Sequence, residues 1–118
     1  MQNFKDLKVW EKAHLFTLSI YDVTKSFPKE EMYSLTNQLR RAASSIPANI
    51  AEGCGKKNLK ADLANFLKIS LGSANEAEYF LILSKDLNYL PLLLFNELDD
   101  TINQIKAMLI SLIQKVRA

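Results

Sequence analysis

The chain is short of the residues that staple, punctuate or catalyse. Its only cysteine, Cys54, excludes an internal disulfide and any zinc site built from several thiolates, and it sets a reducing cytoplasm as the expected home. Three glycines and three prolines are too few for the tight turns of an all-β fold. No membrane span is expected: the most apolar run, "YLPLLLF" at 89–95, falls far short of the ~20 residues a helix needs to cross a bilayer. The opening "MQNFKDLKVWEKAH" is charged throughout and lacks the apolar centre of a signal peptide.

What is present fits one helical domain over residues 1–118. That length holds one core and no second one, and folding buries roughly two-thirds of the surface of such a chain. An apolar share of 48% and a charged share of 24% are ordinary for a globular protein. The net charge is only +2, but it is unevenly spread. Residues 40–68 hold six cations against two carboxylates, a net of +4, and residues 76–100 hold one cation against six, a net of −5. A basic and an acidic region on the folded body follow; solvated helix faces of uneven charge are the plain alternative.

Apolar spacing predicts four helices. The first, over Asp6–Ser26, carries one stripe through Val9, Ala13, Phe16, Ile20, Val23 and Phe27 and another through Leu7, Trp10, His14, Thr17 and Tyr21, so it needs two partners, one of which can belong to another chain. The second, over Glu30–Glu52, faces a core with Leu35, Leu39, Ala42, Ile46 and Ile50, and Gly53 and Gly55 are expected to stop it. Pro47 lies inside this helix, where it removes a hydrogen bond to the Ala43 carbonyl at a cost of about 3 kcal/mol or a kink. Ser44 and Ser45 stand ready to bond the freed groups. The third helix, from an Asn58 N-cap to Leu87, presents Leu63, Phe66, Ser70, Ala74, Ala77, Leu81 and Ser84. The fourth, Pro91–Val116, alternates spacings of three and four through Phe95, Leu98, Ile102, Ile105, Leu109, Leu112 and Val116, the seam of a helix bundle. Short linkers make the expected fold an all-α, antiparallel, up-down-up-down four-helix bundle with its second helix kinked at Pro47.

Catalytic and metal chemistry find little purchase. "EKAH" places Glu11 and His14 at the Glu-x-x-His spacing of a di-metal bundle, but His14 is the single histidine and such a site draws that motif from two helices. Glu76 and Glu78 are two apart and point to different faces. Cys54 lies between two glycines with no histidine near it in sequence, and a space-filling role in a turn is expected over nucleophilic catalysis. "GCGKKN" at 53–58 lacks the full phosphate-loop pattern and a preceding strand. No metal, cofactor or enzymatic activity is expected. Gln38 and Asn49 share a side of the second helix about three turns apart; a polar network fixing helix register, with Glu76 or Glu78 as partners, is one reading, and a ligand or nucleic-acid surface is the other. Arg41, Ser45 and Glu52 align on a flank in the same way.

These residues carry a resemblance. "YSLTNQLRRAASSIPANIAEG" at 33–53 resembles the signature of the 23S rRNA-intervening sequence protein family, and the flanks agree: "FKDLKVWEKA" at 4–13, "SFPKEE" at 26–31 and "FLKISLGSANEAEYFL" at 66–81. Ser34 stands where many members have glycine, and Ala77 where a larger apolar residue is usual. The resemblance implies an antiparallel four-helix bundle, often a homopentamer, with no established enzymatic activity. A similar bundle, the accessory variability protein of diversity-generating retroelements, works with nucleic acid. Arg40, Arg41, Asn49 and Glu52 match the motif's polar positions.

The expected function is therefore a non-enzymatic, oligomeric bundle in the cytoplasm that binds structured RNA or DNA. Arg40, Arg41, Lys56, Lys57 and Lys60 are the candidate contacts, acting on phosphates rather than bases. Gln38, Asn49, Glu52, Glu76 and Glu78 are the candidate structural or interface residues. The rival is a protein-interaction scaffold with no nucleic-acid role, in which Arg40 and Arg41 belong to a subunit boundary. An RNA-cleaving bundle with an arginine–histidine motif fits poorly, because His14 precedes both arginines and shares no motif with them.

Overall fold

A computed structural model describes residues 3–55 and 60–118. Its helices are α1 (Lys8–Val23), α2 (Leu35–Cys54), α3 (Lys60–Asp86) and α4 (Leu92–Arg117). Each packs on its neighbour in sequence and α4 closes the ring on α1, in a body 45 × 24 × 20 Å across. The 27 residues of α3 span about 40 Å, nearly the whole long axis. Phe16 and Ile20, Leu39, Ile46 and Ile50, Leu67 and Leu81, and Ile102, Ile105 and Leu109 meet in one fully buried core. The seam read in α4 is the buried one at Leu98, Ile102, Ile105 and Leu109, and beyond it Ile113 takes the inward place while Leu112 and Val116 are half-buried. The inward face of α3 begins at Ala64 and Leu67 rather than Leu63 and Phe66.

That shift has a cause at the α2–α3 contact. Gly53 does not stop α2; it is a buried residue of its last turn, and a Cβ there would lie 2.9 Å from Phe66 Cβ and 3.1 Å from Leu63 Cδ1. Leu63 and Phe66 thus press on the glycine from the side instead of pointing to the bundle axis. Neither Gly53 nor Gly55 adopts the left-handed conformation expected of a stop; among the described residues Asn88 alone has a positive φ, 65°. It ends α3 in a Schellman arrangement, with the Asn88 amide on the Lys85 carbonyl and the Tyr89 amide on that of Ser84, both at 2.9 Å. The expected Asn58 cap lies outside the described residues.

The start of α2 is also later than its pattern suggests. Lys29–Glu31 form a 3-10 turn and the helix begins at Leu35. Ser34 Oγ donates to Glu31 Oε1 at 2.6 Å and Tyr89 OH donates to Glu31 Oε2 at 2.9 Å. A carboxylate suited to a helix's first turn is drawn instead to the α3–α4 connection. Pro47 sits inside one continuous helix. The Ala43 carbonyl that it strands accepts from Thr17 Oγ1 of α1 at 3.1 Å, not from Ser44 or Ser45. Ser44 Oγ bonds the Arg41 carbonyl, and Ser45 Oγ accepts from Asn49 Nδ2 and Ser73 Oγ, each at 2.9 Å.

Candidate nucleic-acid interface

Of the five cations singled out in the sequence, the three described ones, Arg40, Arg41 and Lys60, do not form one site. Arg40 is half-buried and turned to the end of α1: Nε donates to Thr24 Oγ1 at 2.8 Å, Nη2 to the Tyr21 carbonyl at 3.4 Å, and the guanidinium lies 4.8 Å from the centroid of the Tyr21 ring. Thr24 Oγ1 in turn donates to the Ile20 carbonyl at 2.7 Å. A cation at the C-terminus of a helix complements its unpaired carbonyls and dipole, so Arg40 locks α2 to the last turn of α1. Arg41 is exposed. Lys60 opens α3 beyond the far end of α2, about 20 Å from Arg41 along the axis at 1.5 Å per residue. Lys56 and Lys57 lie outside the described residues.

The antiparallel topology gathers a different set. The start of α1, the end of α2, the start of α3 and the end of α4 share one end of the bundle. Three adjoining clefts open there. One of about 370 Å³ lies between Lys60, Lys68 and Arg117; one of about 270 Å³ has Lys60 and Lys115 over Leu63 and Leu112; one of about 400 Å³ has Lys8 and Lys115 over Leu7 and Leu112. No carboxylate is among the described residues lining these three, and a fourth cleft of about 630 Å³ beside the last has Glu11 next to Lys8 and Lys12. The described segments at this end (5–12, 52–55, 60–68 and 109–117) carry seven cations against four carboxylates, a net of +3, and the other described residues carry six against nine, a net of −3. Lys8, Lys115 and Arg117 escaped sequence reasoning because up to 109 positions separate them, whereas Lys68 falls in the basic region 40–68 but is not among the candidate contacts read there. The available signal was the bundle topology, which puts the ends of alternate helices together.

The expected polar network is dispersed. Asn49 Nδ2 donates to the Ser45 carbonyl at 2.8 Å and to Ser45 Oγ, and Ser73 Oγ of α3 completes this bridge. Gln38 is exposed and does not join it, and neither do Glu76 or Glu78. Glu78 instead accepts from Lys106 Nζ of α4 at 2.8 Å, with each side chain 22% exposed. The Lys106 hydrogen bond holds the Glu78 carboxyl below its usual range, while burial and the Glu78 charge push neighbouring Asp99 up. Glu52 and Glu76 lie on the surface. Ser34 and then Tyr89 lower the Glu31 carboxyl, and the same hydrogen bond raises the Tyr89 phenol.

Cys54 is buried at the end of α2, and burial pushes its thiol up, away from nucleophilic reactivity. His14 is exposed and stacked on Trp10, with centroids 5.2 Å apart and planes at 7°. Among the described residues no three His, Cys, Asp or Glu side chains converge as a metal site, and no described helix is long and apolar enough to cross a membrane.

Four antiparallel helices closed in a ring, with one end more basic than the rest of the described body, define an all-α four-helix bundle. The sequence model of the 23S rRNA-intervening sequence protein family matches residues 5–111, and the chain belongs to that family. A solved structure from Bacteroides thetaiotaomicron, described as a protein with unknown function from the S23 ribosomal protein family, superposes with a TM-score of 0.83 at 31% identity, covering 90% of this chain and 95% of that one. Neither description names an enzymatic activity. No curated protein sequence matches the chain.

Proposed function

We propose that this protein is a non-enzymatic, oligomeric helical bundle of the cytoplasm that binds structured RNA or DNA through its basic surface. The observation that carries the reading is the uneven charge of the bundle, +3 over the described residues of one end against −3 over the rest of the described body. A chain of small net charge thereby presents one face on which several phosphates can be neutralised together. Of the candidate contacts, Arg41 and Lys60 are exposed, whereas Arg40 already serves the end of α1. Self-assembly, a pentamer by family resemblance, would multiply the basic face. Leu15 and Leu18 of α1 and Ile69 and Tyr79 of α3 are half-exposed large apolar side chains that suit subunit contacts.

The same apolar residues favour the rival, a scaffold that binds protein partners and no nucleic acid. A salt titration of binding to a structured rRNA fragment, with native mass recorded on the same sample, separates the two. Nucleic-acid binding gives an affinity whose logarithm falls linearly with log salt. An intact oligomer that binds nothing at low salt leaves the scaffold.

A further inference from the structure

We infer that the nucleic-acid contact is made by the end of the bundle where α1 and α3 begin and α2 and α4 finish, that Lys8, Lys60, Lys68, Lys115 and Arg117 hold the phosphates there, and that the ligand is double-helical. This inference rests on the nucleic-acid reading above. Elsewhere on the described body, four of the six cations are engaged within the fold. Lys106 pairs with Glu78, Lys85 with Asp86 and the Phe95 ring, Lys25 with Asp22, and Arg40 with Thr24 and Tyr21. Of the seven cations at the end, the five proposed contacts are all exposed and none has an ion-pair partner among the described residues, while Lys5 lies 5.9 Å from the centroid of the Phe4 ring and Lys12 is half-buried. Four carboxylates share that end, Asp6, Glu11, Glu52 and Asp62; none of them lines the three clefts, and Glu11 lines the neighbouring one beside Lys8 and Lys12. Extended cations around recessed apolar floors present charge to a ligand too wide to enter.

The size and lining of the face select the class of nucleic acid. A cross-section of 24 × 20 Å spans many phosphates of a duplex, which carries one charge per ~1.7 Å of axis. Single strands are held by aromatic side chains on which bases stack. Trp10 and Phe66, the aromatic residues in the described segments at this end, are half-buried, and neither lines the three clefts. The contacts are therefore to backbone phosphates, which position a duplex without reading its sequence.

The test uses the full chain and labelled probes of about 20 nucleotides per strand, as RNA duplex, DNA duplex and single strand, between about 50 and 200 mM salt. The variants are Lys60→Gln/Lys68→Gln/Lys115→Gln/Arg117→Gln together, and Lys29→Gln alone, an exposed cation outside that end. Circular dichroism verifies that both keep their helices, as exposed substitutions should. The fourfold variant is expected to bind the duplexes at least about tenfold more weakly, with a log–log salt slope shallower by roughly one for each phosphate left without its cation. Lys29→Gln should keep the parent affinity, and RNA and DNA duplexes should give comparable slopes. Parent-like affinity and slope in the fourfold variant overturn the end-face assignment and leave the nucleic-acid reading intact. A preference for the single strand overturns the duplex class. Failure of the unaltered protein to bind any probe overturns the underlying reading as well.

Discussion

Pro47 takes an amide out of the middle of α2, and the repair comes from another helix. The single hydroxyl proton of Thr17 is shared between the stranded Ala43 carbonyl at 3.1 Å and the Ala13 carbonyl of its own helix at 2.8 Å, in a site where Thr17 is 8% exposed. Thr17→Val keeps the shape and removes the donor, leaving a buried carbonyl short of a partner. The expected loss is about 1–3 kcal/mol, read from urea unfolding midpoints, while Thr17→Ser should lose less because it keeps the hydroxyl. Arg40 makes the same point for function. Two adjacent arginines look alike in the sequence, but one closes the end of α1 and the other faces solvent. Only the identity of the neighbouring helix distinguishes them.

At the scale of elements, polar links tie α2 to α3 and α3 to α4. Ser70 Oγ donates to the Ile46 carbonyl at 2.9 Å beside the Ser45–Asn49–Ser73 bridge, and these short side chains let α2 and α3 approach closely around Ala42, Ala43, Ala74 and Ala77. Between α3 and α4 the link is ionic. Glu78 has a folded pKa lowered from 4.5 by its hydrogen bond to Lys106, so its stabilisation is full above 4.5 and disappears as the pH falls through the lowered value. Asp99, raised from 3.8, works in the opposite sense and offsets part of that loss. Glu78→Gln is therefore expected to lower stability at neutral pH by no more than about 1 kcal/mol, as for a partly exposed pair. It should also flatten the decline of unfolding free energy between about pH 5 and 3. A steeper acid decline in the variant than in the parent would contradict this assignment.

At the scale of the whole molecule, the outward faces of α1 and α3 carry large apolar side chains half-exposed, Leu15, Leu18, Ile69 and Tyr79. Gly72 lies midway along α3, exposed, and a Cβ there would meet nothing within 4 Å. A mid-helix glycine costs roughly 0.5–1 kcal/mol relative to alanine, and no contact within the chain accounts for it. Gly72→Ala is expected to stabilise the isolated subunit by that amount, measured by urea unfolding at high dilution. Native mass on the same variant then probes assembly: an oligomer weakened by one methyl group identifies the outer face of α3 as a contact surface.

The helical class, the number of helices, the buried seam of α4 and the family were all legible in the chain, because each is written in local spacing or in one long motif. Helix ends, hydrogen-bond partners and the arrangement of charge came only with packing. α2 starts late because Tyr89, 58 residues away, holds Glu31; Gly53 is required by the approach of Phe66. Of the candidate contacts, Lys60 joins the basic end while Arg40 belongs to the fold. The cations that complete that end come from α1, α3 and α4. Local periodicity survives any packing of the helices, but a surface built from the ends of three helices exists only once they are packed.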